Sequence, residues 1–240
     1  MAVMGEAMPG WRERHLEDMA QAPDADALFA VLAGAARELG FDYCAYGMRM
    51  PLPLTHPATF MVNNYAPAWQ ARYAAAGYLD VDPTVAHGAA SQRPLLWSEQ
   101  LFAGARPLWE EARGHQLRVG WAQSSRTPDG STGMLTLARS HEPLSESELA
   151  RSERDMSWLA HAAHEAMARL QGGKRGQAPL SAREAEVLRW MADGKTSSEA
   201  ADILGLSERT VNFHVANALC KLGAANKTAA VVKAALLGLL

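Results

Sequence analysis

The sequence predicts an α+β protein of two unequal domains: a mixed helix–strand domain with antiparallel strands over residues 1–170, and an all-α domain over residues 179–240. Three observations predict it. Residues 171–178, followed by Pro179, hold three glycines and no large apolar side chain, so they cannot build a core and read as a flexible linker. The segments 118–126 and 132–139 flank Pro128-Asp129-Gly130, the pattern of a β-hairpin. Beyond the linker, four short apolar-periodic segments each open on a capping residue, which is the signature of a small helical domain.

In the larger domain, Asp26 can cap a helix carrying Leu28, Val31, Leu32, Ala35 and Leu39 on one face, closed by Gly40. Residues 41–48 then read as a strand, and Pro51, Pro53 and Pro57 mark a loop. Pro67 opens a second helix through Trp69 and Tyr73 that Gly77 closes. A third helix follows Asp82-Pro83, a fourth spans about residues 106–116, and after the hairpin a Ser145-x-x-Glu148 capping box starts a long helix to about residue 170. In the smaller domain Ser181-x-x-Glu184 and Thr196-x-x-Glu199 are capping boxes, Ser207 caps a helix over about 208–222 ended by Gly223, and Asn226 caps the last helix.

Composition narrows the classes. The chain has 240 residues, 48% hydrophobic and 20% charged, with no apolar run of about 18 residues to span a membrane and no basic-then-apolar start of a secretory signal. Cys44 and Cys220 lie far apart, which suits a reducing cytoplasm and excludes a disulfide scaffold. Residues 1–170 carry 14 Arg, no Lys and 20 acids, a net −6, whereas residues 171–240 carry 9 Lys or Arg and 6 acids, a net +3. Only the C-terminal part is therefore suited to a polyanion.

Two helices joined by Gly205-Leu206-Ser207 form a helix-turn-helix pattern, whose second helix can enter a DNA major groove. On that helix Val211, Val215, Leu219 and Leu222 occupy the core side. Thr210, His214, Asn217 and Lys221 recur along another, with Arg209 and Asn212 beside them. These side chains suit base edges and phosphates, though a polar stripe that merely meets solvent has the same spacing. The run Leu180-Ser181-x-Arg183-Glu184-x-Glu186-Val187-Leu188, with Gly194-Lys195-Thr196, residues 207–214, Lys221-Leu222-Gly223-Ala224 and Asn226-Lys227, closely resembles the LuxR-type DNA-binding domain. That resemblance implies binding of double-stranded promoter DNA, with Lys195, Thr196, Arg209 and Asn212 near the DNA and Glu184, Leu188 and Gly194 as scaffold. A phosphorylated receiver domain is excluded for residues 1–170, since a receiver needs a lysine there.

Tyr65, Trp69 and Tyr73 fall at i, i+4 and i+8, followed by Asp82-Pro83 and Trp97. Aromatic core packing fits that stripe, and so does an apolar pocket with a few convergent polar groups. Phe41-Asp42-Tyr43, Tyr46-Gly47, Trp69, Tyr73, Asp82-Pro83, Trp97 and Gly120 resemble the acyl-homoserine-lactone-binding domain of LuxR-type quorum-sensing receptors, over about residues 25–165. The resemblance implies an α-β-α sandwich and specific roles. Trp69 would donate to the lactone carbonyl, Asp82 would accept from the amide, and Tyr65, aided by Thr136, would donate to the acyl carbonyl. Trp97 would pack on the lactone ring, with Tyr73 and Phe102 as walls. It also implies a cytoplasmic homodimer on an inverted-repeat site, RNA polymerase as partner if the protein activates, and no cofactor beyond the lactone.

After Gly120 many relatives carry an apolar residue and proline, but this chain reads Trp121-Ala122-Gln123-Ser124-Ser125. A similar stretch occurs in CepR- and SolR-like receptors, implying their branch and a medium, octanoyl-like acyl tail. Trp121 either shortens the tail cavity or faces the other side of the sheet. An unfilled cavity would leave Asp82, Tyr65 and Trp69 unpaired, so ligand binding is expected to stabilise the domain. His161 and His164 are expected at the surface or a dimer interface rather than on a metal. Two other classes remain: an enzyme such as a lactonase, against which the lack of a His-rich cluster counts, and a LuxR-type regulator answering to another small molecule or a protein partner.

Overall fold

The computed structural model describes residues 10–172 and 179–240. Most of the linker read at 171–178 lies outside the described residues. Contacts divide the chain into two compact units that part between Gly172 and Gly173, with residues 50–58 and 128–130 grouping with the second.

The first unit runs α1 (Trp11–Gln21), α2 (Ala25–Glu38), β1 (Tyr43–Arg49), β2 (Thr59–Asn63), α3 (Pro67–Ala75), α4 (Pro83–Ala90), β3 (Leu95–Leu96), α5 (Arg106–Gly114), β4 (Val119–Arg126), β5 (Thr132–Arg139) and α6 (Glu146–Gly172). Its five strands pair antiparallel in the order β2-β1-β5-β4-β3. Successive strand residues point to opposite faces, so register decides which layer each one meets. Cys44, Tyr46, Met48, Trp121, Leu135 and Leu137 are buried on the side packed by α2 and α6. Ala138 joins the aromatic side chains of α3 and α5 on the other side, and Met134 meets Gly88 of α4 there. The expected α-β-α sandwich is present.

Two polar links hold α6 to the sheet. Arg139, 3% exposed, gives Glu148 two hydrogen bonds at 2.6 and 3.0 Å and donates to the carbonyls of Glu142 and Pro143. The hydrogen bond and charge of Arg139 hold the Glu148 carboxyl below its usual range, against the opposing effect of burial. Tyr46 shares a 2.8 Å hydrogen bond with His164 Nδ1. His164 is thus buried at 1% exposure beneath the sheet, not at the surface as expected, because its helix turns that side chain inward. His161 is exposed and bonds the Ser157 carbonyl.

Three elements lie beyond those the sequence predicts: α1, β2 and β3. The cap of α2 also differs from expectation. Asp24, not Asp26, accepts from the Ala27 N–H at 2.8 Å, and Asp26 becomes a first-turn acid facing the positive end of the helix.

The second unit contains α7 (Ala182–Ala192), α8 (Ser197–Leu204), α9 (Glu208–Leu222) and α10 (Lys227–Leu236). Both capping boxes form reciprocally, Ser207 and Asn226 cap α9 and α10, and Gly205 and Gly223 take the left-handed conformation at φ 65° and 55°. Val187, Ala200, Ala201, Val211 and Val215 form one small core, and Leu188, Ala218, Leu222, Ala230 and Ala234 another. Among the described residues, no helix is long and apolar enough to cross a membrane, and no three His, Cys, Asp or Glu side chains group as a metal site.

Candidate ligand and DNA sites

In the first unit, an aromatic cluster fills the space between the sheet and α3–α5. Trp69 projects from α3, is 3% exposed, and lies 5.9 Å from Tyr73, 6.1 Å from Tyr78 and 5.2 Å from His115 between ring centres. Phe102 stacks on Trp109 at 4.8 Å, and Trp97 meets both edge-on. Trp97 owes its place to Gly120: a Cβ there would overlap the indole ring. The backbone N–H of Trp97 also donates to the Gly120 carbonyl at 2.8 Å. Thr136 is buried on β5 opposite Ala45 and Ala122, on the same face as Ala138.

Asp82 caps α4 at the border of this cluster. Its Oδ1 accepts from the Thr84 N–H and hydroxyl at 2.8 and 2.7 Å, and its Oδ2 accepts from the Tyr73 hydroxyl at 2.9 Å. Two expectations change here. Asp82 is not left unpaired, because the Asp-Pro-Thr turn brings the Thr84 groups back onto it. Tyr73 is more than a wall, since it orients the carboxylate. Burial first, then the Asp82 charge, push the Tyr73 hydroxyl far above its ordinary pKa, so it remains a donor.

Tyr65 does not lie on the helix with Trp69 and Tyr73. It sits in the turn before Pro67 and packs on Tyr43 at 6.0 Å, with burial raising its pKa. Among the described residues, the orphaned donors of the cluster are the indole N–H groups of Trp97 and Trp109, buried without a hydrogen-bond partner. Trp109 is not among the site residues the sequence predicts, since its place four residues before Arg113 on α5 carries no polar signal. Trp121 pairs with Leu137 and points toward α6, so it does not border the cluster.

In the second unit, Arg209, Asn212, Phe213 and Ala216 are exposed along α9, and Phe213 reaches 61% exposure. Thr210, His214 and Asn217 are half-buried on the neighbouring stripe, with the Thr210 hydroxyl bonded to Ser207. Lys221, expected near DNA, is engaged within its own domain. Its ammonium donates to Glu184 at 2.8 Å and to the Pro179 carbonyl at 3.1 Å, tying α9 to the start of α7. Burial raises the Glu184 carboxyl, but the Lys221 hydrogen bond and the Ser181 N–H outweigh it and hold the group ionised. Lys195 and Thr196 border an open cleft of about 370 Å³ together with Ser197 and Lys227. The Thr196 hydroxyl also caps α8 and donates to Glu199 at 2.9 Å.

Residues 24–167 match the autoinducer-binding domain, and residues 178–234 match the domain of bacterial regulatory proteins of the luxR family. The chain belongs to the LuxR family. It is 47% identical to the transcriptional activator protein AnoR of Acinetobacter nosocomialis, over 97% of this chain and 100% of AnoR. It is 46% identical to the activator SolR of Ralstonia nicotianae, over 91% and 94% of the two chains. Among solved structures, Escherichia coli SdiA superposes with a TM-score of 0.81 at 36% identity, over 96% of this chain and 98% of SdiA. SdiA has also been solved in complex with octanoyl-rac-glycerol, with a TM-score of 0.80 over 95% and 94% of the chains at 36% identity. This LuxR-type protein is therefore a quorum-sensing transcriptional regulator with an autoinducer-binding domain and a DNA-binding domain. The enzyme reading falls away, because the relatives it matches at full length are regulators.

Proposed function

We propose that this LuxR-type regulator binds an N-acyl-homoserine lactone with a medium, octanoyl-like tail in the aromatic cluster, and binds an inverted-repeat promoter element as a homodimer. The domains are 1–170 for ligand and dimerisation, 171–178 as linker and 179–240 for DNA. The observation that carries the ligand reading is the Tyr73–Asp82 hydrogen bond beside Trp69. A carboxylate oxygen has more than one acceptor site, so Oδ2 can take the ligand amide N–H while Tyr73 keeps it aimed, and the charge strengthens that bond. Trp69 donates to the lactone carbonyl, and Tyr65 with Thr136 serves the acyl carbonyl. Trp97 and Phe102 cover the apolar surface, and the unpaired indole of Trp97 gains if an acceptor arrives.

For DNA, Arg209 and Asn212 are the groove-facing polar groups, joined by Phe213, whose ring suits a thymine methyl. Lys195 and Thr196 border the backbone side, and Thr210, His214 and Asn217 flank it. Symmetric half-sites about one helical turn apart match a two-fold dimer. The naming of AnoR and SolR as activators favours RNA polymerase as the partner at the promoter, in the cytoplasm.

The test is the melting temperature of protein made in a host free of acyl-homoserine lactones. It is measured with butanoyl, hexanoyl, octanoyl and 3-oxo-dodecanoyl homoserine lactones and with 1-octanoylglycerol. The largest rise with the octanoyl lactone, recovered by mass spectrometry, is expected. The octanoylglycerol bound to SdiA favours a second reading, in which a non-lactone octanoyl compound is the signal; a rise with 1-octanoylglycerol alone selects it.

A further inference from the structure

On α9, the Asn212 side chain stands exposed, yet its carbonyl oxygen turns back into the domain. The Ser197 hydroxyl donates to Asn212 Oδ1 at 2.8 Å. Lys227 Nζ donates to Ser197 Oγ at 2.7 Å and to Asn212 Oδ1 at 3.4 Å. An ammonium has three donors and no acceptor, so each group facing it must accept. That puts the Ser197 proton on Asn212, turns the amide oxygen inward and leaves the amide N–H₂ outward. Ser197 is 7% exposed at the first position of α8, and Lys227 is the first residue of α10, so the lock is anchored on two other helices.

We propose that Ser197 and Lys227 are positioning residues that make Asn212 a donor-only reader of a base edge. The proposal rests on the reading of α9 as the groove-facing helix. An unconstrained asparagine recognises adenine by accepting from N6 and donating to N7 at once. Locked Asn212 has spent its acceptor within the domain. It offers two N–H groups, which complement the adjacent N7 and O6 acceptors of guanine and leave the N6 donor of adenine unmatched.

The experiment is selection by the full chain, with N-octanoyl-homoserine lactone present, from double-stranded DNA holding 20 randomised base pairs. Wild type, Asn212→Ala, Ser197→Thr and the double variant Ser197→Ala/Lys227→Met are compared, with folding of each checked by circular dichroism. The expected result has three parts. Asn212→Ala erases the preference at one position per half-site. Wild type prefers guanine over adenine there by about tenfold or more. The double variant brings that ratio to near parity by admitting adenine, while Ser197→Thr keeps the wild-type ratio. If Asn212→Ala weakens binding to all sequences alike, or wild type selects no motif, the base-reading role fails and the lock with it. If Asn212→Ala erases a position but the double variant leaves the guanine-to-adenine ratio untouched, the contact stands and the lock is overturned.

Discussion

In the helical unit, capping groups find their partners within three residues: Ser181 with Glu184, Thr196 with Glu199, Ser207 with Thr210 and Asn226 with Ala229. The sheet unit has such local caps too, Asp24 with Ala27 and Asp82 with Thr84, and adds bonds between distant parts of the chain, as Tyr46 joins His164 and Arg12 joins Asp155. The helical unit also has links across the chain, Lys221 with Glu184 and Lys227 with Ser197. Among the described residues its buried side-chain polar atoms have partners, whereas the aromatic cluster leaves the indoles of Trp97 and Trp109 without them. A region short of partners is one that a bound molecule can stabilise, by satisfying donors and adding contacts that the unfolded chain lacks. Sensing therefore belongs to the unit that leaves buried donors unpaired, and the DNA-binding unit, whose buried polar groups are paired among the described residues, can stay folded throughout.

Glu148→Ala gives the strongest way to break that contrast. It strands the buried Arg139 cation and should cost about 3–5 kcal/mol. Calorimetry should show the loss in the sheet-unit transition only; an equal drop in both transitions would dissolve the distinction. The same pair sets an acid limit. The folded carboxyl of Glu148 is lowered, so its contribution is complete above the ordinary glutamate range and disappears as pH falls through the lowered value. Melting of the sheet unit should accordingly decline from pH 6 to pH 3, and decline less in Glu148→Gln.

Gly120→Ala forces the Trp97 ring away from β4 and should destabilise the same unit by about 1–3 kcal/mol. Crystal or spectroscopic evidence of an unmoved Trp97 with unchanged stability would show that the strand yields instead. Asp82→Ala removes the proposed ligand acceptor and the cap of α4 together. The rise in melting temperature with N-octanoyl-homoserine lactone should vanish while the helical-unit transition stays in place. A retained rise would take Asp82 out of recognition. The smallest effect belongs to Thr196→Ala, a lost cap worth about 1 kcal/mol, confined to the helical unit and visible as its lower midpoint in urea.

Legibility in the sequence follows the same division. The four helices of the second unit were readable because cap and stop signals act within one turn. Of the side chains expected to face DNA on α9, Arg209 and Asn212 stand exposed beside Phe213, and Thr210, His214 and Asn217 are half-buried. An exposed phenylalanine gives no polar signal, and the pairing of Lys221 with Glu184 spans 37 residues. In the first unit the hairpin and α3–α6 were readable. The short edge strands β2 and β3 were not, since their pairing depends on β1 and β4 rather than on their own pattern. Trp69, Tyr73, Asp82 and Trp97 converge as the sequence suggested. The hydroxyl of Tyr73 on Asp82 and the orphaned indole of Trp109 needed the three-dimensional arrangement to become visible.

Strand parity across β4 and β5 also sets how the protein can be re-engineered. Even-numbered positions such as Ala122, Ser124, Met134 and Thr136 share the face of Ala138, and odd-numbered ones such as Trp121, Leu135 and Leu137 share the face under α6. With the ligand proposed in the aromatic cluster, a combinatorial library meant to retune small-molecule preference can be limited to the first group. Diversity placed in the second group would be consumed by clones that fail to fold, however well chosen the selection pressure.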